Sequence, residues 1–514
     1  MCAVLAPIAI AVSLNRLSAR SGHHRIGQSA ADSPARTSNT TPDGIAAENA
    51  KPGTPGWAVP DQAAVWAKVS GWADHVSAQR GESVGLYVST GAPSFYVEAV
   101  RLGWYGGVGG RSVWRSGVIP GVRQAPARVD ASTGMRDAPW QKSTDVVVGQ
   151  DWTTGMYVLK LVSADGGQSM VPLVVRDDAS HSDLLISSAV TTWQAYNGWG
   201  GASLYTGGPR EDPAQRARVV SFDRPYDGNG TGELFGREDR FISMAEAIGL
   251  DVSYTTDVDV DGHPELLLNH RAFVAPTHDE YWTKSMRDGV EGARDHGVNL
   301  VFMGANASFR RIRLEPSNIG AQRHEVNYRV ARDDPLYGKD NAQVTTSWRD
   351  PPDARPESSM IGDYYDCNPV DASMVIAENS SWIFAGTGWK NGDQLPHVVG
   401  NEYDRVTPEA PTPIDIEVVA HSPVVCHGRH SFSDMTYYTA PSGAGVFATG
   451  TFGWEPHLGP PCPQDSQATP EDCAMRRAMT NVLSAFVGGA AGRTHPSQSN
   501  LAQLGIHAGY TDHG

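Results

Sequence analysis

The 514-residue chain has no uninterrupted apolar run of 18 residues, which excludes an integral membrane protein built on spanning helices. Basic charge is also short. Against 57 Asp and Glu there are 41 Lys and Arg, giving a formal net charge of −16. Such a surface repels a phosphate backbone, so nucleic acid is not expected as a partner and small neutral or cationic ligands fit better. Cysteine is scarce, five in all, with no Cys-x-x-Cys pair and no Cys/His spacing suited to zinc. No Gly-x-Ser-x-Gly elbow and no His-Glu-x-x-His motif occurs, and no cysteine follows a strand of the main sheet, so serine, cysteine and zincin hydrolase chemistries lose their usual carriers.

What is present describes a globular, loop-rich protein of two or three domains. Gly (55) and Pro (34) are frequent while charged residues make up only 19%, which suits ordered loops better than disorder. Residues 1–56 are the expected exception. Cys2 to Val12 is apolar and is followed by Arg16 and Arg20, resembling the hydrophobic part of a secretory signal without its basic start. The stretch from Ser18 to Pro55 is rich in Ser, Thr, Asn, Ala, Gly and Pro and reads as a disordered linker. Export is the expectation, with a cytoplasmic location as the alternative. Cys462 and Cys473 flank a Pro-rich loop that a disulfide could close in an oxidising compartment; Cys367 and Cys426 could form a second pair or stay as buried thiols.

From 57 to 178 short segments alternate apolar and polar residues, as in Ser83 to Val88 and Tyr96 to Leu102, and Met156–Val162 with Met170–Val175 form the last hairpin. A β-sandwich is predicted. The glycine-rich segment Gly103 to Arg111 has no Gly-Lys-Ser/Thr ending and reads as a turn between strands, not a phosphate loop. After 178 the period changes. Phe241, Ala245 and Ile248 mark one helix and Met286, Val290 and Ala293 another, between strands at Leu184, Asp251, Ala272 and Asn299. Alternating strands and helices predict a parallel-sheet α/β domain over 179–490. Residues 348–403 read as long loops or an inserted β element, Met475 to Val487 as a final helix, and 491–514 as a tail.

Three segments leave the carboxyl ends of the sheet strands, where open α/β sheets bind ligands. They are Thr191 to Gly201, read as a loop, Pro276 to Trp282, and Gly304 to Asn306. They carry Tyr196, His278, Asp279, Glu280 and Asn306. Read alone, His278-Asp279-Glu280 is equally well a capping turn before the helix near Lys284, and a tyrosine beside glycines is usually a packing residue.

The motifs Trp193-Gln194-Ala195-Tyr196-Asn197 with Gly200-Gly201, His278-Asp279-Glu280-Tyr281-Trp282, Gly304-Ala305-Asn306 and Gly400-Asn401-Glu402-Tyr403-Asp404 occur in this order. With Arg101 to Gly106 and Gly155-Met156-Tyr157, they resemble the carboxyl-terminal region of the large (beta) subunit of N,N-dimethylformamidase, over about Trp57 to Val487. The resemblance implies a mononuclear Fe(III) held by Tyr157, Tyr196 and Glu280, with His278, Asn306 and Glu402 as catalytic residues around it. Three hard anionic oxygens would balance Fe(III) and leave positions for water and substrate. It further implies hydrolysis of a small amide or other C–N bond, a small subunit as partner, and an α/β domain similar to class I glutamine amidotransferases without their nucleophilic cysteine. Self-association is compatible with it. The family's active-site lysine would fall in Asn327-Tyr328-Arg329, which holds none. The rival reading is a secreted ligand- or carbohydrate-binding protein with an idle α/β domain, suggested by the signal-like start and by 14 Trp, 17 Tyr and 12 Phe.

Overall fold

In the computed structural model, two β-sheets of the amino-terminal half share one apolar core. The first has three antiparallel strands, in the order Val69–Ala73, Ser83–Thr90, Thr144–Val147. The second, of six strands, is centred on Ser94–Leu102, Gly155–Ser163 and Gln168–Arg176. Alternate residues such as Val84, Leu86, Val97, Ala99, Leu159, Leu161 and Leu173 point into the space between them, as the period-2 pattern requires. The structure describes residues 44–510 except 408, 463, 507 and 508, all within one compact unit. The signal-like segment and Cys2 lie outside the described residues.

The second half is built on a seven-stranded sheet in the order Val252–Thr256, Leu184–Ser188, Ala272–Ala275, Asn299–Phe302, Gly445–Ala448, Arg429–Thr439, Glu417–Cys426. The first five run parallel and the last two antiparallel. Helices Asp239–Ala247, Lys284–Asp295 and Pro470–Val487 pack on it where the 3.6-residue period places them. A smaller sheet pairs Tyr281–Thr283, Arg310–Glu315, His324–Val326 and Val219–Ser221, with Thr346–Ser347 beside it. Residues 348–403 contain the inserted β element: Tyr364–Val375 pairs antiparallel with Gln394–Arg405. The molecule is thus a mixed α/β structure with many sheets. No helix among the described residues is long and apolar enough to cross a membrane.

Three segments differ from the sequence reading. Residues 44–56, assigned to the linker, hold the helix Ile45–Asn49, with Ile45 in the core and Glu48 fully buried among cations. Composition missed this because a few anchoring side chains order the segment. The stretch after Leu184–Ser188 leaves as a helix, Val190–Tyr196, not a loop, with six of its seven residues buried. The segment from 491, assigned as a tail, is tied down: Asn500 exchanges two hydrogen bonds with the Val418 backbone and Leu501 is buried. Both cysteine pairs are bridged, Cys367 to Cys426 and Cys462 to Cys473.

Arg101 joins the two halves. From its strand it donates to Glu246 of the helix Asp239–Ala247 at 2.6 and 3.0 Å and to the carbonyls of Leu102 and Thr154. A Cβ on Gly103 would stand 2.4 Å from Glu246 Oε2, and one on Gly155 2.8 Å from Arg101 Nε, so a side chain at either position would displace this pair. The Arg101-Leu102-Gly103 and Gly155-Met156-Tyr157 motifs are therefore parts of this seam.

Candidate functional site

The three segments that leave the carboxyl ends of the parallel strands converge. Thr192, in the helix Val190–Tyr196, accepts from the Glu280 backbone N–H at 2.9 Å, and Thr191 donates to the Tyr281 carbonyl. This fixes the 276–282 segment against the helix. Gly304 lies so close to it that a Cβ would meet the His278 nitrogen at 3.1 Å, and Ser308 N donates to the Asp279 carbonyl at 2.8 Å. Within the Trp193 to Asn197 motif only Tyr196 reaches the site. Gln194 and Asn197 instead secure the turn that follows, together with buried Arg224.

Four side chains meet where these loops join. The Tyr196 hydroxyl lies 2.9 Å from Glu280 Oε2 and 2.9 Å from the Tyr205 hydroxyl, which itself donates to Glu280 Oε2. His278 Nε2 is 3.3 Å from the Tyr196 hydroxyl and 3.4 Å from Glu280 Oε2. Its Nδ1 faces the Ala305 carbonyl at 3.1 Å and must carry a proton to bond it, which aims Nε2 into the cluster. Arg310 Nε approaches Glu280 Oε1 at 3.3 Å.

Electrostatics follows from burial. Burial opposes charge on His278, but the hydrogen bond and negative charge of Glu280 outweigh it and hold the imidazolium up to about 9. Burial would likewise raise Glu280, yet His278, Arg310 and the Tyr205 hydroxyl bring it down to about 2. The Tyr196 and Tyr205 phenols are pushed far up, first by burial and then by the adjacent Glu280 charge. Without a cation the phenols stay neutral; a strong Lewis acid between them would favour phenolate.

Asn306 and Glu402 adjoin this cluster. Asn306 sits in the left-handed region at φ 59°, its backbone N–H donating to Asp404 at 2.9 Å, and its buried Oδ1 has no protein partner. Glu402 Oε1 accepts from Asn368 Nδ2 at 2.8 Å while Oε2 is buried and unpartnered. Burial raises the Glu402 carboxyl, against the pull of His278. Tyr196, Tyr205, Arg310, Arg329 and Tyr365 are only half-buried and form the rim, whereas His278, Glu280, Asn306 and Glu402 form the buried floor.

Of the six residues singled out in the sequence, five assemble and one does not. Tyr157 is fully buried in the core between the amino-terminal sheets, its ring stacked on Trp152 at 5.1 Å and its hydroxyl donating to Thr153 O at 2.7 Å. Alternation along its strand points it inward, so it is a packing residue and not the second phenol of the cluster. That phenol is Tyr205. Gly200 and Gly201, at φ 78° and 89°, turn the chain so that Leu204 N donates to Ala195 O, which brings Tyr205 back beside Tyr196. The paired glycines between two tyrosines were the available signal.

Two phenols and a carboxylate, all hard oxygen donors that could hold a metal ion, thus stand within hydrogen-bond distance of one another. Comparisons with known proteins bear on the lineage. A search of curated proteins gives no match. Among solved structures, the Paenibacillus sp. cycloisomaltooligosaccharide glucanotransferase complexed with cycloisomaltoheptaose aligns at 9% identity over 60% of this chain, with a TM-score of 0.17, too low to carry an argument. This chain covers 62% of that one, less than two thirds of its length. The family described as "N,N-dimethylformamidase beta subunit-like, C-terminal" matches residues 96–467, a span that contains every residue of the cluster. The chain belongs to the N,N-dimethylformamidase beta subunit-like family.

Proposed function

We propose that Tyr196, Tyr205 and Glu280 hold a mononuclear Fe(III) and that the chain hydrolyses a C–N bond of a small linear amide. The observation that carries this reading is the meeting of two phenols and one carboxylate within hydrogen-bond distance, beside the unpartnered acceptors of Asn306 and Glu402. A ferric ion bound there supplies Lewis acidity toward a substrate carbonyl.

The chain's own residues do the rest. Glu402, half-satisfied by Asn368 and raised by burial, takes a proton from water as the water oxygen adds to the amide carbon. His278, oriented by Ala305, offers Nε2–H to the leaving nitrogen as the C–N bond breaks, so that an acid and an amine leave. Asn306 orients the amide through its free carboxamide oxygen. The finer architecture we propose is a β-sandwich followed by a class I glutamine amidotransferase-like domain that lacks a nucleophilic cysteine. A small subunit is the partner the family name suggests. Two disulfides favour export to an oxidising compartment.

The test is spectroscopic and chemical. Purified protein should contain one iron per chain and absorb in the visible through tyrosinate-to-Fe(III) charge transfer. Tyr196→Phe and Tyr205→Phe should lose both, and Glu402→Gln should keep both while amine release from formamide-type substrates falls by roughly 100-fold or more. Iron content unchanged in both tyrosine variants would overturn the ligand set. Iron-loaded protein that releases no amine would favour a binding protein.

A further inference from the structure

The rim of the site is cationic, in a chain whose net charge is −16. Arg329 lies with its guanidinium carbon 4.2 Å from the centre of the Tyr205 ring and donates from Nη2 to the Tyr281 hydroxyl at 3.2 Å. Its Nε is buried without a partner. Among the described residues, Arg329, Arg216 and Arg218 make no ion pair with a carboxylate, and Arg310 makes only its 3.3 Å approach to Glu280. Arg216 donates to the Tyr328 carbonyl at 2.9 Å, which brings it next to Arg329. Its guanidinium is held below the usual range by burial and then by the charges of Arg329, Arg218 and Arg310.

A comparison with Arg101 separates this group from an ordinary structural arginine. Arg101 shows how this protein satisfies one: a bidentate carboxylate and backbone carbonyls occupy its fork. Arg329 has no such set, although its backbone is held at φ 63°, where a non-glycine residue is strained, with its carbonyl accepting from Thr346 Oγ1. Crowded cations with idle donors are costly unless an anion joins them.

We propose that Arg329, backed by Arg216, Arg218 and Arg310, forms an anion subsite beside the Tyr196–Tyr205–Glu280 cluster, and that the substrate is a small amide bearing a carboxylate. The amide half rests on the hydrolase reading above; the anion subsite does not. The carboxylate would engage the Arg329 fork at the rim while the amide carbonyl reaches the floor near Asn306 and Glu402.

The experiment compares N-formylglycine with its neutral isostere N-formylglycinamide on the full iron-loaded chain, by calorimetric binding and by amine release. The expected result is a preference for the anion of roughly 10- to 100-fold, the range of one charge-assisted hydrogen-bonded pair, which shrinks as salt is raised. Arg329→Gln should abolish the preference and Arg329→Lys, which keeps the charge but not the fork, should recover part of it. Arg329-dependent binding of the anion with no amine released would uphold the subsite and sink the hydrolase reading. Equal turnover of both amides, unaffected by salt and by Arg329→Lys, would overturn the subsite and leave the hydrolase intact. Failure of N-formylglycine to bind would also overturn the subsite.

Discussion

Two buried polar clusters in this molecule use the same residue types to different ends. At the seam between the halves, Arg101, Glu246, Glu48, Tyr105 and Arg111 interlock. Glu48 accepts from Tyr105, Arg111, Lys51 and Thr153, and Glu246 from Arg101, Tyr254 and Asn49, so both carboxylates are saturated. At the loop junction, Tyr196, Tyr205, Glu280 and His278 meet as closely, but the neighbouring Glu402 Oε2, Asn306 Oδ1 and Arg329 Nε are left without protein partners. Tyrosine, arginine and glutamate in a buried set are therefore not a signature of function by themselves. Incomplete satisfaction is what separates this cluster from the seam, since a buried polar atom without a partner is costly.

The seam should dominate stability. Arg101→Met leaves Glu246 without its guanidinium partner in a fully buried place and removes a positive charge near Glu48, and a loss of about 3–5 kcal/mol in unfolding free energy is expected from urea denaturation. Tyr205→Phe, made in iron-free protein, should cost under about 1.5 kcal/mol by the same measurement, since it deletes one hydroxyl. Equal losses in the two variants would erase the distinction between a structural cluster and a ligand-ready one.

Acid should reach the seam through Glu48. Burial works to raise this carboxyl, but Lys51, Arg101, Arg111 and Tyr105 hold it at about 2, against an ordinary value of 4.5. A lowered folded-state value means stabilisation that is complete above about 4.5 and is lost as pH falls from there through about 2. The loss expected is on the order of 2 kcal/mol. Glu280 is also held at about 2, so the contribution of Glu48 is read as the difference between wild type and Glu48→Gln across pH 5 to 2. Parallel curves for the two proteins would show that Glu48 is not the titrating group.

Most of the scaffold could be read from periodicity. The helices at Phe241 and Met286, the parallel strands and the final amino-terminal hairpin follow from apolar spacing, which burial enforces locally. What could not be read depends on contacts distant in sequence. Glu48 anchors residues 44–56 through Tyr105, Arg111 and Thr153, which lie 57, 63 and 105 positions away, and Asn500 holds the carboxyl-terminal segment through Val418. The helical rather than looped start at Val190 reflects tertiary packing of a short segment whose composition resembles a turn. At the site, the loop positions after strands led to Tyr196, His278, Glu280 and Asn306. Tyr205 was missed because its place depends on a glycine reversal, and the local cationic field around Arg329 is invisible in a net charge of opposite sign.

The smallest effect tests the choice between the two tyrosines. Tyr157→Phe removes a hydroxyl that bonds the Thr153 carbonyl and leaves the ring on Trp152, so a loss of about 1 kcal/mol is expected in thermal or urea unfolding. Because that ring faces the core between the amino-terminal sheets and not Glu280, the variant should retain iron and the visible band that Tyr205→Phe loses. Loss of iron in Tyr157→Phe with iron kept in Tyr205→Phe would exchange the roles assigned to the two phenols. It would also require the 153–157 strand end to move out of its core against the stacking on Trp152 and the hydrogen bonds of both neighbouring strands, a rearrangement that amide exchange along Gly155–Ser163 would reveal.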